Sequence, residues 1–152
     1  MLPRYKNVAT FLLVMLEALP NAFTRALARQ RGMSERRLRG LVDDGQLIRI
    51  GPGLYRKYDA PPADLDRIEL ALQAPAATLC LATALAHHDL CDLIPAELDV
   101  ALPRGQRPPR VHAPIRWHRF HEATFHIGRT EVEVDDGLML GLYSAERSIV
   151  DA

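Results

Sequence analysis

Ser34-Glu35-Arg36-Arg37-Leu38-Arg39-Gly40-Leu41-Val42-Asp43-Asp44-Gly45, followed by Leu47-Ile48-Arg49-Ile50-Gly51-Pro52-Gly53-Leu54-Tyr55-Arg56-Lys57-Tyr58, decides how this chain is read. Ser34 is of the type that caps a helix, and Gly45 is of the type that closes one. At about 100° per residue, Leu38, Leu41 and Val42 share one face. Arg36 then points almost directly away from them, with Gly40 and Asp43 beside it and Arg37 and Arg39 flanking. The two β-prone runs around Gly51-Pro52-Gly53 read as a hairpin. Upstream, Thr24 caps a short helix from Thr24 to Arg31, with Ala26, Leu27 and Ala28 toward the core, and Gly32 supplies the left-handed turn that ends it. Two short helices joined by a tight glycine turn and followed by a hairpin are a helix-turn-helix with a wing.

Working outward, Asn7 to Leu19 reads as a further helix, capped by Asn7 and stopped by Pro20. Its apolar residues cover nearly the whole circumference, so it is expected to be covered on more than one side, between modules or against a second copy. The run Phe11 to Leu16 is far short of the about 20 apolar residues a membrane span needs. Glu17 interrupts it and no small-residue cleavage site follows, which favours a buried helix and argues against membrane association. Asp59-Ala60-Pro61-Pro62-Ala63-Asp64 is a proline-rich break. It divides the chain into a winged helix-turn-helix domain over 1–60 and a second domain over 61–152.

In the second domain, Leu65 to Gln73 and Leu79 to Leu90 have helical spacing. Leu98 to Leu102, Ile115 to Phe120, Phe125 to Ile127, Glu131 to Val134 and Leu138 to Leu142 read as short strands. The fold class is therefore α+β, with helices packed on a mixed or antiparallel sheet after the winged module. A basic, proline-rich loop, Pro103 to Arg110, joins the first two strands. A last helix opens at Ser144 and reaches Ala152 after about two turns, so the natural protein is expected to continue further.

Charge divides along the same line. Met1 to Tyr58 hold 11 Lys+Arg against 4 Asp+Glu, and Asp59 to Ala152 hold 8 against 15, so a net of zero hides modules of +7 and −7. A polyanion partner is expected for the first module alone. In the helix-turn-helix geometry the second helix enters the major groove of double-stranded DNA with its N-terminal residues leading. Arg36 is the candidate base reader, since arginine bidentate to guanine is the commonest specific contact. Arg25, Arg37 and Arg39 are candidate phosphate clamps. Ser34 stands at a helix N-terminus whose free N–H groups suit an anion, and Gly40 would let the backbone approach DNA closely. Arg49, Arg56 and Lys57 on the wing would reach the backbone or the minor groove, and Arg4 and Lys6 form a basic arm.

Catalytic chemistry finds no support. Cys80 and Cys91, eleven apart, match neither a zinc spacing nor a disulfide framework, and suit reduced thiols in a cytoplasmic protein. His87 and His88 point in different directions on a helix, and His118 and His121 fall on opposite faces of a continuous strand. With no completing Cys or carboxylate, the histidines read as structural, and no catalytic residue, metal site or cofactor is expected. Trp117, Phe120, Phe125 and Tyr143 could line an apolar pocket. That is the basis of an alternative reading, a one-component regulator whose second domain senses a small ligand; as plain core residues they need no ligand.

Several segments together resemble the AbiEi-type antitoxins, the transcriptional regulators of type IV toxin–antitoxin systems. They are Phe23-Thr24-Arg25, Ser34 through Tyr55, Ala82 through Leu90, Asp99-Val100-Ala101-Leu102-Pro103-Arg104-Gly105, and Ser144 through Asp151. The winged part is shared by many regulators. The Leu-Pro-Arg-Gly and Glu-Arg-Ser-x-x-Asp pieces, in that order, make the match more specific. The resemblance implies binding to an inverted-repeat operator in the chain's own promoter, and autorepression. It also implies opposition to a nucleotidyltransferase toxin that does not require direct contact. Palindromic operators usually pair with dimers, which makes a homodimer on DNA one expectation and two copies bound without stable association in solution the other; the sequence leaves the oligomeric state open.

Overall fold

The computed structural model describes residues 8–152; the expected cap Asn7 and the arm residues Arg4 and Lys6 lie outside the described residues. The chain forms two compact units, Met1–Pro62 and Ala63–Ala152.

The first unit runs α1 (Val8–Glu17), β1 (Ala22–Thr24), α2 (Arg25–Gln30), α3 (Glu35–Asp43), β2 (Leu47–Gly51) and β3 (Leu54–Lys57). Both expected caps form: the Thr24 hydroxyl accepts from the Leu27 N–H, and the Ser34 hydroxyl from the Arg37 N–H. The turn between α2 and α3 closes through the Met33 N–H donating to Ala28 O at 2.9 Å. Gly32 stands there at φ +84°, in the left-handed region that a side chain would strain. Leu19, Phe23, Ala28, Met33, Leu38, Leu41 and Leu47 are buried in one cluster.

Two departures from the sequence reading matter. Ala22–Thr24 is a strand, paired antiparallel with Arg56 through Leu54, so β3 is the middle of a three-stranded sheet ordered β1-β3-β2. The sequence reading gave the wing two strands, because three residues are too few for alternation to show. The second departure is α1, none of whose residues is buried. Met15 and Leu16 pack against the cluster, whereas Val8, Leu13 and Val14 are exposed.

The second unit runs α4 (Leu65–Gln73), β4 (Thr78–Leu79), α5 (Leu81–His87), β5 (Leu98–Pro103), β6 (Ile115–Phe120), α6 (Glu122–Phe125), β7 (Arg129–Asp135), β8 (Leu138–Tyr143) and α7 (Ala145–Asp151). Its mixed five-stranded sheet has the order β6-β5-β4-β8-β7. β5 runs parallel to β6, β4 parallel to β8, and the other two pairings are antiparallel. The α+β class with a winged helix-turn-helix followed by helices on a mixed sheet is thus the fold of this chain. Residues alternate between two clusters along β5: Val100 and Leu102 join Leu70, Ala74, Leu79, Leu140 and Leu142, while Ala101 joins Cys80, Phe125 and Tyr143. Gly141 has no room for a side chain, since a Cβ there would stand 2.7 Å from Ala77 O.

The residues read as a strand from Phe125 to Ile127 are instead the end of α6 and the turn after it. His121 caps that helix, its Nδ1 accepting from the Ala123 N–H, and the Tyr143 hydroxyl donates to Phe125 O at 2.7 Å. Burial pushes the Tyr143 hydroxyl up to about 12 and raises the Cys80 thiol too, so both keep their protons at neutral pH. The helix expected from Leu79 starts at Leu81, after β4. Of the four aromatics, Phe120 stacks on Tyr143 at 5.7 Å and Phe125 meets Tyr143 edge-on, but Trp117 packs with the other cluster. The four do not converge on one pocket.

Candidate nucleic-acid interface

The α3 helix is built to present one face. Leu38 and Leu41 are buried, Arg36 and Arg39 are exposed, and an added Cβ at Gly40 would meet nothing within 4 Å. Packing therefore gives no reason for glycine at 40. The open space lies beside the two arginines, where another body can approach the helix backbone. Ser34 holds the helix start in extended geometry (φ −75°, ψ 158°) and satisfies one of the first N–H groups, leaving others at the N-terminus.

A recess between α3 and the hairpin collects cations from three elements. It is lined by Arg25 of α2, Arg39 of α3 and Arg49 of β2, with Glu35, Val42, Gly53 and Tyr55. Arg25 is fixed there by its backbone N–H donating to Gly53 O at 2.8 Å. Its guanidinium donates to Glu35 Oε1 at 2.8 Å, and both side chains are about half exposed, 48% and 57%. Exposed pairs of this kind contribute about 0–1 kcal/mol, so a phosphate could displace Glu35 at small cost. Arg49 is exposed and donates from Nε to Gly51 O at 3.3 Å, beside the register shift between Arg49 and Gly51. Such irregularities bend a strand and re-aim its side chains.

Arg37 is placed differently from its neighbours. Its guanidinium lies over the Phe11 ring, 5.2 Å from the centroid, and is half-buried against α1. That contact is worth about 0.5–1 kcal/mol at an exposed site, so it orients the charge without neutralising it.

Two wing residues need correction. Arg56 is buried, 4% exposed, and its guanidinium donates to Pro61 O where the chain leaves the sheet. The cause is the extra strand: on the middle strand, Arg56 stands between Ala22 and Ile48 rather than on an open wing. Lys57 is half-buried, with Nζ donating to Leu19 O at 2.6 Å. Both cations tie this unit together and neither faces outward. Arg56→Ala is accordingly expected to lower unfolding stability by about 2 kcal/mol, the scale of a charge-assisted hydrogen bond. It should leave the salt dependence of DNA binding unchanged, which urea titration and binding isotherms would check.

Arg29 is a further outward cation that the sequence reading did not name. It is exposed on α2, four residues after Arg25 and so on the same helix face. The i, i+4 spacing of Arg25 and Arg29 is the sequence signal that marks it.

Elsewhere, two histidines pair with buried carboxylates: His118 Nε2 with Asp99 at 2.8 Å, and His112 Nδ1 with Glu69 at 3.1 Å. The Glu69 carboxylate also accepts the N–H groups of His112 and Ala113, which satisfies a buried charge. Among the described residues no three His, Cys, Asp or Glu come together as a metal site, and no helix is long and apolar enough to cross a membrane.

No curated protein matches the chain. Among solved structures, the crystal structure of the RV2827C protein from Mycobacterium tuberculosis is similar in fold, with a TM-score of 0.54 at 20% identity. The likeness covers 74% of this chain and 44% of that one, so the chain spans less than half the length of its structural relative. Residues 13–56, running from within α1 through α2, α3 and most of the hairpin, match the family described as transcriptional regulator, AbiEi antitoxin, the same family that the sequence resembles.

Proposed function

We propose that this chain is a sequence-specific double-stranded DNA-binding regulator, the autorepressing antitoxin of a type IV system opposing a nucleotidyltransferase toxin. The observation that carries the reading is the recess of Arg25, Arg39 and Arg49 beside the capped α3, with Arg36 exposed on that helix and open space at Gly40. In this arrangement α3 lies in the major groove. Arg36 reads a guanine edge. Arg25, Arg37, Arg39 and Arg49 hold phosphates on either side of it, and these contacts set register without reading sequence. The domain over 1–60 supplies the DNA contact, and an inverted repeat brings two copies together on the operator. The cytoplasm, where the promoter is, is the compartment this role needs.

Footprinting of the protein on the upstream region of its own operon tests the reading, with protection of an inverted repeat as the expected result. Arg36→Ala should weaken binding to that site by about 1–3 kcal/mol and relax the preference at one base position per half-site. Protection spread evenly along the fragment, unaffected by Arg36→Ala, would remove the sequence-specific reading.

A further inference from the structure

We propose that Glu35, the first residue of α3, is a specificity-determining residue that accepts a hydrogen bond from the N4 amine of a cytosine in the operator; this rests on the DNA-binding reading above and deepens it. The first unit is strongly basic, and its acids are few: Glu17, Glu35, Asp43 and Asp44. Glu17 ends α1, while Asp43 and Asp44 lie at the far end of α3. Glu35 instead lines the recess, among Arg25, Arg39 and Arg49. A carboxylate there opposes phosphate, so general affinity for a polyanion gives no reason for it.

The Glu35 carboxylate is held in place on one side only. Its Oε1 accepts from the Arg25 guanidinium at 2.8 Å, while Oε2 has no hydrogen-bond partner among the described residues. Arg25 is itself tied to the wing, since its N–H donates to Gly53 O. Its Nη2 and Nε stand 3.5 and 3.6 Å from where a Cβ on Gly53 would be, so the guanidinium rests against the hairpin turn. A guanidinium carries five N–H groups in one plane, so Arg25 can hold Glu35 with one and a phosphate with others. More than half of the Glu35 side chain is exposed, which leaves the carboxylate open to a ligand. An acid in the first turn also suits the helix dipole. That role is indifferent to DNA sequence, so base preference separates the two.

The chemistry of the base edges decides what such a carboxylate can meet. In the major groove cytosine presents a donor, its N4 amine, whereas guanine presents O6 and N7 and thymine presents O4, all acceptors. Adenine presents its N6 amine beside the acceptor N7. A carboxylate only accepts, so it gains a hydrogen bond at cytosine, is half matched at adenine and is repelled at guanine and thymine. The exposed Arg25–Glu35 pair is weak by itself, so on a mismatched site phosphate draws Arg25 away and leaves the carboxylate against acceptors. At cytosine the amine is the second donor that keeps Glu35 between base and guanidinium. Arg36 is the next residue on the helix, exposed and turned by about 100°. The two side chains therefore read different base pairs, the arginine a guanine and the glutamate a cytosine.

The test uses the full chain and the footprinted operator, with each base pair of one half-site replaced in turn by the other three. In the wild type, changing one cytosine to thymine should cost about 5- to 150-fold in affinity, the scale of a single mismatch. Glu35→Ala should bind the cytosine and thymine duplexes alike and keep the wild-type preferences elsewhere. Glu35→Gln should lose the cytosine preference and gain one for adenine, because an amide pairs with N6 and N7 together. The Gln variant has the same shape on an exposed site, so it carries the test if Glu35→Ala folds poorly. Base preferences unchanged in both variants, with any loss of affinity equal on all duplexes, overturn the inference; if Arg36→Ala still relaxes its own position, the α3 reading stands. Relaxation at a position where the wild type prefers a base other than cytosine also overturns it. If the Glu35 variants shift the cytosine preference while Arg36→Ala relaxes none, the role of Glu35 stands and Arg36 is not the guanine reader. A wild type with no base preference overturns both.

Discussion

Raising salt from about 50 to about 200 mM is expected to weaken duplex binding about 500-fold. The figure follows from which cations reach phosphate. Arg25, Arg29, Arg37, Arg39 and Arg49 are five outward or half-exposed guanidiniums in the first unit. Five phosphate contacts give a slope of about −4.5, and a fourfold rise in salt then costs about 500-fold. Arg56 and Lys57 do not enter, because their charges are held by Pro61 O and Leu19 O. Isotherms measured by fluorescence anisotropy at four or more salt concentrations would give the slope. A loss of less than about tenfold corresponds to fewer than two phosphates, and no reading in which this face docks on DNA survives it.

The contrast between Arg49 and Arg56 shows where sequence reasoning reached its limit. Caps and turns were legible because their chemistry is local: Ser34, Thr24, Gly32 and Gly45 each act within a few residues of themselves. The face of α3 was legible for the same reason, since helical periodicity places Leu38 and Arg36 on opposite sides without reference to anything else. Arg49 and Arg56, by contrast, are two arginines on neighbouring strands of one hairpin, equally basic and both within three residues of the turn. The register, Arg49 opposite Tyr55 and Arg56 opposite Ile48, puts the two on opposite faces, and the pairing of β3 with β1, between residues about 30 apart in sequence, places Arg56 on the middle strand. The same limit applies to the second unit. The β5 and β6 runs were found from their own composition. His121 capping α6 and Trp117 joining the cluster away from Tyr143 depend on which strands become neighbours. Basic residues on a helix face can thus be assigned from sequence, whereas those on a short strand wait on its partners.

Leu38→Ala is expected to remove most of the stability of the first unit. Leu38 is fully buried, in one cluster with Phe23, Ala28, Met33, Leu41 and Leu47. Leucine-to-alanine changes at such sites cost about 2–5 kcal/mol, the larger values where the surroundings cannot collapse into the cavity. A unit of this size has a total stability of about 3–9 kcal/mol at ordinary values per residue, so the loss is a large fraction of the whole. Its neighbours sit on β1, α2, α3, β2 and the turn between the two helices, each held by a cap, a ladder or a turn hydrogen bond, which limits collapse. The chain reports this directly, because Trp117, its one tryptophan, belongs to the second unit. In a urea titration of Leu38→Ala, helical circular dichroism should fall at lower denaturant while Trp117 emission keeps its wild-type midpoint. DNA binding should disappear with the first transition. Arg36→Ala should do the opposite, losing affinity with both midpoints unchanged, because its side chain is exposed and packs on nothing in the cluster. Were Leu38→Ala to bind DNA as the wild type does, the folded helix-turn-helix could not be what holds the duplex.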